Sequence, residues 1–428
     1  MSAVEKLELC VAAQNFYPVP GGAVLRFLRY FPGFHRRGVS IRVVTGTPHK
    51  SQIAPPEIVQ KWSGVSVGSV IPTEPLNGAR IHRVRLPDRK GWSRKAVFRR
   101  EIRRVCTEPG YRPDVLQLVS SLPFRSSFEP KRLRQGGTAI VFAYTISLKR
   151  KKDPIQRAMN RWFTRMLSRQ IDCVIVGTAA LQDQAKSLGF DTRIETIANG
   201  VDLTRFHPPT GAEDRIAVRR ALGIPAEAPL LLCVGSLTLR KGSDLMLETW
   251  SRLNRRLSDA HLVFVGAGFE TEGGDPEKLK FAHRLDGLTA SSGAADRLHF
   301  TGFVDNVEDY YRSADLLVFP SKKEGMPNAV IEAMASGLPV VLTPFDSLSA
   351  NIGEPGQDFL LVERTSEALE DAASTLLKDA ERRRRMGARA RCWIEATMDL
   401  EATLDRYVKI YRELSAHRRK AAEKGHER

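Results

Sequence analysis

The stretch Ser321–Thr343, SKKEGMPNAVIEAMASGLPVVLT, decides the fold prediction for this chain. An apolar strand, ADLLVFP (314–320), precedes it, a helix is predicted over about 328–336, and a second strand, LPVVLT (338–343), follows. Such a strand–turn–helix–strand unit is typical of an open α/β sheet, where ligands bind at the carboxyl ends of the strands. The helix start would present backbone N–H groups and the positive end of the helix dipole, which favours a phosphate group.

Two glutamates lie eight positions apart in this stretch, Glu324 before the predicted helix and Glu332 within it. Eight helical residues turn through about 800° and rise roughly 12 Å, so both carboxylates would lie near one side if both were helical. An ordinary scaffold with two solvated carboxylates has the same spacing. The spacing alone therefore does not establish a site.

Length and composition bound the class of protein. A chain of 428 residues, 42% hydrophobic and 27% charged, exceeds a single core and predicts two domains. It contains no apolar run of about 18 residues, and the apolar part of MSAVEKLELC is too short for a signal peptide. The five cysteines are scattered without a C-x-x-C pair, which indicates free thiols and no metal site. We therefore expect a cytoplasmic protein.

The net charge of +17 is concentrated in residues 80–104 and 125–169 and in the C-terminal region. Such a field favours phosphate-rich partners, namely an anionic membrane surface, a nucleic acid or a nucleotide sugar. No nucleic-acid-binding motif accompanies the charge, so nucleic acid is not an expected partner. Peripheral attachment at the inner face of the membrane and a surface that only aids solubility both remain open.

Apolar strands alternate with amphipathic helices, which predicts mainly parallel sheets. The domains are predicted at 1–206 and 207–395, with a linker at FHPPTG (206–211) and a terminal helix and basic tail at 396–428. The twelve predicted strands are 7–14, 40–46, 79–84, 115–120, 139–144, 172–178, 229–236, 261–268, 297–303, 314–321, 338–343 and 358–363.

The string EGMPNAVIEAMASGLPVV resembles the glutamate motif of retaining glycosyltransferases of family 4, which have the GT-B fold. The resemblance implies two Rossmann-like domains facing across a cleft, with a C-terminal helix that crosses back to the N-terminal domain. It implies that Glu324 hydrogen-bonds the donor sugar and that Glu332 binds the ribose hydroxyls. The segment between them would face sugar and phosphate with its backbone: Gly325, Met326, Pro327 (which has no N–H), Asn328 and Ala329.

A second motif, VGSLTLRKGSD (234–244), resembles the basic block of the same family. Arg240 and Lys241 would stabilise the departing nucleoside diphosphate, as a divalent metal ion does in other enzymes. We therefore expect no metal and no cofactor besides the nucleotide sugar. Ser236 replaces the first basic residue of that block, which leaves Arg240 as its substitute.

Five further residues match the family less specifically. Gly21 and Gly22 follow the first strand and resemble a loop that contacts the donor phosphate or the acceptor. Gly266 ends a strand, where a glycine lets a nucleotide lie against the backbone, and Val304 falls where family members hold the base through backbone groups. A core role for the Val304 side chain is equally open. Asn199, in an N-G-V-D sequence, is interpreted as a structural turn.

The sequence departs from the family at its acceptor-side histidine, which many members carry just after the strand matching AIVFAY. Tyr144 or Thr145 stands there instead. Thr145, Lys149 or Arg150 could replace the histidine, the acceptor could supply its function, or activity could have been lost.

The leading hypothesis is a retaining, metal-independent transfer of a sugar from a nucleotide sugar to an acceptor hydroxyl. UDP is the default nucleotide of the donor, because uracil donors are commonest in the family that the chain resembles, and GDP remains open. The acceptor is unknown and could be lipid-linked or a polysaccharide. The alternatives are a nucleotide-sugar epimerase on the same fold and a non-enzymatic, basic, nucleic-acid-binding Rossmann protein.

Overall fold

The structure, a computed structural model, describes residues 6–17, 22–47, 65–88, 92–119, 130–144, 153–266, 268, 276–345, 348 and 352–426. The chain forms two compact units. The first consists of residues 1–199 together with 401–428, and the second consists of residues 200–400.

The first unit contains an eight-stranded sheet in the order β3-β4-β2-β1-β5-β6-β7-β8, parallel throughout except that β3 runs antiparallel to β4. Its elements are β1 (Leu7–Ala13), α1 (Gly22–Arg36), β2 (Val39–Gly46), β3 (Val70–Ile71), β4 (Ala79–Val84), α2 (Trp92–Cys106), β5 (Val115–Val119), α3 (Pro130–Gln135), β6 (Ala139–Tyr144), α4 (Pro154–Ser168), β7 (Cys173–Val176), α5 (Ala179–Ser187) and β8 (Arg193–Thr196).

The second unit contains a six-stranded parallel sheet in the order β11-β10-β9-β12-β13-β14. Its elements are α6 (Ala212–Ala221), β9 (Leu230–Val234), α7 (Ser243–Leu253), β10 (His261–Val265), α8 (Pro276–Ser291), a 3₁₀ turn (Ala295–Arg297), β11 (Leu298–Phe300), α9 (Val307–Ser313), β12 (Leu316–Phe319), α10 (Asn328–Ala335), β13 (Val340–Leu342), β14 (Leu360–Leu361), α11 (Ser366–Lys378) and α12 (Ala380–Thr397). The last helix of the chain is α13 (Leu400–His426).

Both sheets are Rossmann-like, and their central strands explain why. Every residue of β6, AIVFAY, is buried, as is every residue of β12, LLVF. Strands that are apolar throughout, without alternation, are typical of parallel sheets covered on both faces. The prediction of α/β units is confirmed.

The helix α13 packs on the first unit through an aromatic cluster. Tyr30 and Phe34 of α1 meet Tyr407 and Tyr411 of α13 with ring centroids about 6 Å apart, at an edge-to-face or tilted angle. The Tyr411 hydroxyl also donates a hydrogen bond to Gln117 of β5. The C-terminal helix therefore belongs to the N-terminal unit, as the fold prediction requires.

The unit boundaries differ from the predicted 206/207 and 395/396. The N–H of Val201 donates to the carbonyl of Met398, and the N–H of Leu400 donates to the carbonyl of Val201. Phe206 is fully buried against Tyr311 in the second unit. Residues 200–206 and 396–400 are thus tied to one another and to the second unit, and the FHPPTG segment lies inside that unit.

Two strands were missed, β3 and β8. The predicted terminal helix at 396–428 is present as α13 and begins at Leu400. Within the described ranges, no helix is both long enough and apolar enough to cross a membrane.

Candidate functional site

The two central strands of the second sheet, β9 and β12, are hydrogen-bonded neighbours although β10 and β11 separate them in the sequence. The chain leaves β9 toward one edge of the sheet and leaves β12 toward the other. This reversal is a topological switch point, the place where open α/β sheets bind ligands. The loop after β9 carries Arg240 and Lys241, and the loop after β12 carries Glu324. The N–H of Lys322 donates to the carbonyl of Arg240 at 2.8 Å, which joins the two loops.

Glu324 is the centre of this site. Its Oε1 atom lies 2.8 Å from Nζ of Lys241 and 3.0 Å from Nη1 of Arg240, and it accepts a hydrogen bond from Oγ of Ser321 at 2.6 Å. Only 8% of Glu324 is exposed. A carboxylate this buried requires compensation by opposite charge and hydrogen bonds, and the two cations and the hydroxyl supply it.

The two cations are held differently. The Lys241 ammonium lies 5.2 Å from the centroid of the Phe319 ring, within cation–π range, and its side chain is largely buried. The Arg240 side chain is half-exposed, and its Nη1 atom also donates to the carbonyl of Lys323 at 2.8 Å. Lys241 is therefore a fixed point charge, whereas Arg240 presents a guanidinium fork at the surface.

Close backbone contacts require two glycines around these loops. Gly242 has φ 75°, and a Cβ atom there would lie 2.3 Å from the carbonyl oxygen of Pro320. Gly266 has φ 145°, and its Cβ would lie 2.3 Å from the carbonyl oxygen of Gly235. Packing between neighbouring strand ends is thus sufficient to explain why residue 266 is a glycine. The contact of Gly266 with a nucleotide stays a prediction.

The loop around Val304 lies beside Gly266, because the N–H of Gly266 donates to the carbonyl of Gly302 at 2.9 Å. Val304 is half-buried and its neighbour Phe303 is exposed. The two predicted nucleotide positions are therefore adjacent, and their contact with a nucleotide stays a prediction.

The helix α10 begins at Asn328, with Pro327 in an extended conformation at its N-cap and no acidic residue in its first turn. The predicted donor segment is partly accessible: Gly325 and Pro327 are buried, while Met326, Asn328 and Ala329 are half-buried. The positive end of the helix dipole is therefore not neutralised by an acidic residue in the first turn of α10. Such a helix start favours binding of an anion.

Only one of the two glutamates is helical. Glu324 lies in the loop before α10, so the separation calculated from helical rise does not apply. Glu332 lies on α10, is 6% exposed, and accepts a hydrogen bond at Oε2 from the hydroxyl of Tyr311 at 3.1 Å. Tyr311 is itself packed edge-on against Phe206. The tyrosine fixes the orientation of the carboxylate that is predicted to bind ribose.

The first unit carries fewer of the predicted positions. Gly22 is the first residue of α1, and Gly21 lies outside the described residues, as do Thr145, Lys149 and Arg150. Tyr144 is buried at the end of β6, and its hydroxyl donates to Gln184.

Asn199 accepts a hydrogen bond from Nη1 of Arg26, and both residues are buried within the first unit. This contact ties α1 to the segment that ends the unit. Asn199 itself does not lie in a turn, so the predicted turn is wrong, and a structural role of the residue stays a prediction.

Sequence reasoning missed Ser321, Phe319 and Tyr311. The spacing of Ser321 and Glu324, a hydroxyl three residues before a carboxylate at a strand end, could have indicated their hydrogen bond. No local signal marks Phe319 or Tyr311, because each meets its charged partner only through the tertiary fold.

These features define a protein of the GT-B class. They are two α/β units with mainly parallel sheets, a cationic pair and a glutamate at a switch point, and a C-terminal helix that packs on the first unit. A family model described as Glycosyl transferases group 1 matches residues 214–393, and one described as Glycosyltransferase Family 4 matches residues 20–205. The chain belongs to this family of glycosyltransferases.

Two curated relatives show the degree of similarity. The lipopolysaccharide core biosynthesis mannosyltransferase LpsB of Rhizobium meliloti is 30% identical over 232 residues, which cover 53% of this chain and 61% of the relative. A GDP-mannose-dependent alpha-(1-6)-phosphatidylinositol monomannoside mannosyltransferase of Mycobacterium tuberculosis is 28% identical over 221 residues, covering 50% of this chain and 54% of the relative. The chain thus matches little more than half the length of these relatives.

Among solved structures, the sucrose-phosphate synthase from Thermosynechococcus elongatus superposes with a TM-score of 0.73. The superposition covers 96% of this chain and 100% of that structure at 21% sequence identity. At this identity the likeness establishes the GT-B fold and nothing finer.

Proposed function

We propose that the protein transfers a sugar from a nucleoside diphosphate sugar to an acceptor hydroxyl. The observation that carries the proposal is the convergence of Lys241, Arg240 and Glu324 at the switch point of the second sheet. Membership of the glycosyltransferase family supports it, since the match to one family model spans these residues.

The chemistry of the three side chains suits a departing diphosphate. Negative charge grows on the leaving oxygen as the sugar–phosphate bond breaks, and preorganised cations lower the free energy of that transition state. Lys241 supplies a fixed charge, Arg240 can engage two phosphate oxygens, and the start of α10 adds its dipole. These groups make a divalent metal ion unnecessary in the proposed mechanism.

The proposed stereochemical course is retention. The acceptor hydroxyl attacks from the face that the diphosphate leaves, and a donor phosphate oxygen takes the hydroxyl proton, so no protein nucleophile is needed. Glu324 accepts hydrogen bonds from the sugar hydroxyls, and Glu332 accepts them from the ribose.

The donor and the acceptor are proposed by class. A uridine donor is the expectation from the sequence, whereas the name of the mycobacterial relative favours GDP-mannose. The same name describes a phosphatidylinositol acceptor, and the charge of +17 suits an anionic substrate, so a lipid-linked acceptor at the inner face of the membrane is proposed.

A thermal-shift screen across nucleoside diphosphates and nucleotide sugars tests the proposal. Binding to the native state raises the apparent stability by RT ln(1 + [L]/Kd), so the true donor raises Tm in a concentration-dependent way. Lys241→Ala should lose most of the shift. If no nucleoside diphosphate sugar shifts Tm, the proposed function is wrong.

A further inference from the structure

The helix α4 carries an exposed apolar stripe. Ile155 is 71% exposed, Met159 65%, Trp162 68% and Met166 39%. Their spacing of four, three and four residues places them on one face of the helix. Twelve large apolar side chains are exposed in the described part of the chain, and these four share one helix.

The stripe is not the face that attaches α4 to the first unit. Leu167 and Ser168 are buried, and Leu167 and Phe163 pack into the hydrophobic core of that unit. The helix is also well defined at its start, where the carboxylate of Asp153 accepts a hydrogen bond from the N–H of Ile155 and a proline occupies the first turn. The helix thus buries one face and leaves a second apolar face to solvent.

At about 100° per residue, Arg165 lies beside the stripe, Arg161 lies farther round the helix, and Arg157 lies on the side opposite the stripe. Arg157, Arg161 and Arg165 follow each other at intervals of four, and α4 contains no acidic residue. All three are exposed. Arg165 pairs with Asp191 at 2.9 Å, and its side chain remains 64% exposed in that pair. The helix therefore carries exposed positive charge on one flank of the stripe and no acidic residue of its own.

An apolar stripe with tryptophan and methionine, on a helix whose charged residues are all arginines, has the composition of a helix that lies in the plane of a membrane interface. The aromatic and aliphatic side chains enter the boundary between headgroups and acyl chains, while the arginines meet anionic headgroups. A second copy of α4 offers no acidic residue to Arg165, so charge complementarity favours an anionic surface over pairing of two copies.

From this arrangement we infer that α4 is the face through which the protein docks on an anionic lipid bilayer, with Ile155, Met159, Trp162 and Met166 inserted. The inference deepens the membrane location named in the proposed function. It does not depend on sugar transfer, and its readout is separate from donor binding.

Flotation of the full chain with vesicles tests the inference. Vesicles of phosphatidylcholine and phosphatidylglycerol in equal parts should carry the protein upward, and vesicles of phosphatidylcholine alone should carry much less. Met159→Ser/Trp162→Ser should lower the bound fraction by at least about tenfold, because two large apolar groups no longer transfer from water. Arg161→Gln/Arg165→Gln should lower it through lost attraction to the anionic surface.

The matched control is Leu279→Ser, an exposed apolar position on α8 of the second unit, which should float like the unchanged protein. The inference is overturned if the unchanged protein fails to float, or if the stripe variant floats equally well. It is also overturned if light scattering shows a dimer that Met159→Ser/Trp162→Ser dissociates, since the stripe would then bind a second copy. Each variant should keep the Tm increase produced by the donor, so loss of flotation is distinguishable from failure of the proposed function.

Discussion

Arg240 and Lys241 are adjacent cations, and Glu324 lies within 3.0 Å of both. Placed next to each other in a partly buried site, two positive charges repel, and the carboxylate removes most of that repulsion. The same carboxylate can also accept hydrogen bonds from a sugar. In the proposed mechanism Glu324 therefore has two roles, one toward the cations and one toward the donor.

Glu324→Gln separates these roles. The amide keeps the size of the side chain but removes its charge, so we expect sugar transfer to fall by about 100-fold or more, a loss typical of removing one preorganised electrostatic group. Binding of the nucleoside diphosphate without sugar should change little, because the cations remain. Transfer rates and calorimetric binding, measured on the same variant, check this. Near-native turnover would show that the carboxylate does not act on the sugar.

Gly242→Ala tests the fit between the two loops. The substitution forces a side chain into a left-handed conformation and against the Pro320 carbonyl, and we expect it to destabilise the protein by about 1–3 kcal/mol. Gly223→Ala is the control, since Gly223 has φ 68° but nothing within 4 Å of a Cβ. The free energies of unfolding in urea give the comparison. Equal losses in the two variants would mean that the contact with Pro320 costs nothing.

At the scale of elements, β10 and β11 place two histidines side by side. Nδ1 of His261 lies 3.0 Å from Nε2 of His299, and the rings stack with centroids 5.3 Å apart. Burial lowers the pKa of both imidazoles, and the neighbouring His299 lowers the pKa of His261 further. The folded protein therefore disfavours the protonated form of this pair.

The pair makes stability depend on pH in a definite direction. Because each folded pKa lies below the unfolded value of about 6.5, the unfolded state binds more protons in that range. Stability should be greatest above about pH 6.5 and should fall as the pH drops toward the folded pKa values. His299→Phe keeps a stacked ring and should flatten this dependence in urea unfolding at several pH values, whereas His283→Asn, on the exposed surface of α8, should not. An unchanged pH profile in His299→Phe would contradict the account.

Burial separates most of the predicted strands from the two that were missed. All twelve predicted strands are present, with ends shifted by a few residues, because most of them are buried parallel strands that leave a continuous apolar run. The exception is β14, an edge strand of two residues that is not buried and was predicted from the apolar run DFLLVE (358–363). Of the missed strands, β3 has two residues, and β8 reads RIET with no buried residue. These strands lie at the two edges of the sheet. They are defined by backbone hydrogen bonds to the neighbouring strand, which a pattern of side chains does not reveal.

At the scale of the whole molecule, sequence motifs predicted the class of fold and the identity of the residues at the switch point. They did not predict that Glu324 contacts Arg240 and Lys241, because more than 80 residues separate these positions in the sequence. The residues meet only because β9 and β12 are adjacent strands in the sheet. The boundary between units was also displaced, since the Val201 pairing with residues at 398–400 has no local signature.

The central claim is that the cationic pair beside Glu324 binds the nucleoside diphosphate of the donor without a metal ion. The most direct test is the dissociation constant of the diphosphate identified by the thermal-shift screen, measured calorimetrically in excess EDTA for the unchanged protein and for Lys241→Ala. We expect binding to persist in EDTA and to weaken about 10- to 100-fold in the variant, the loss of one charge-assisted contact. Equal affinity in the two proteins, or binding that appears only with Mg²⁺, would contradict the claim.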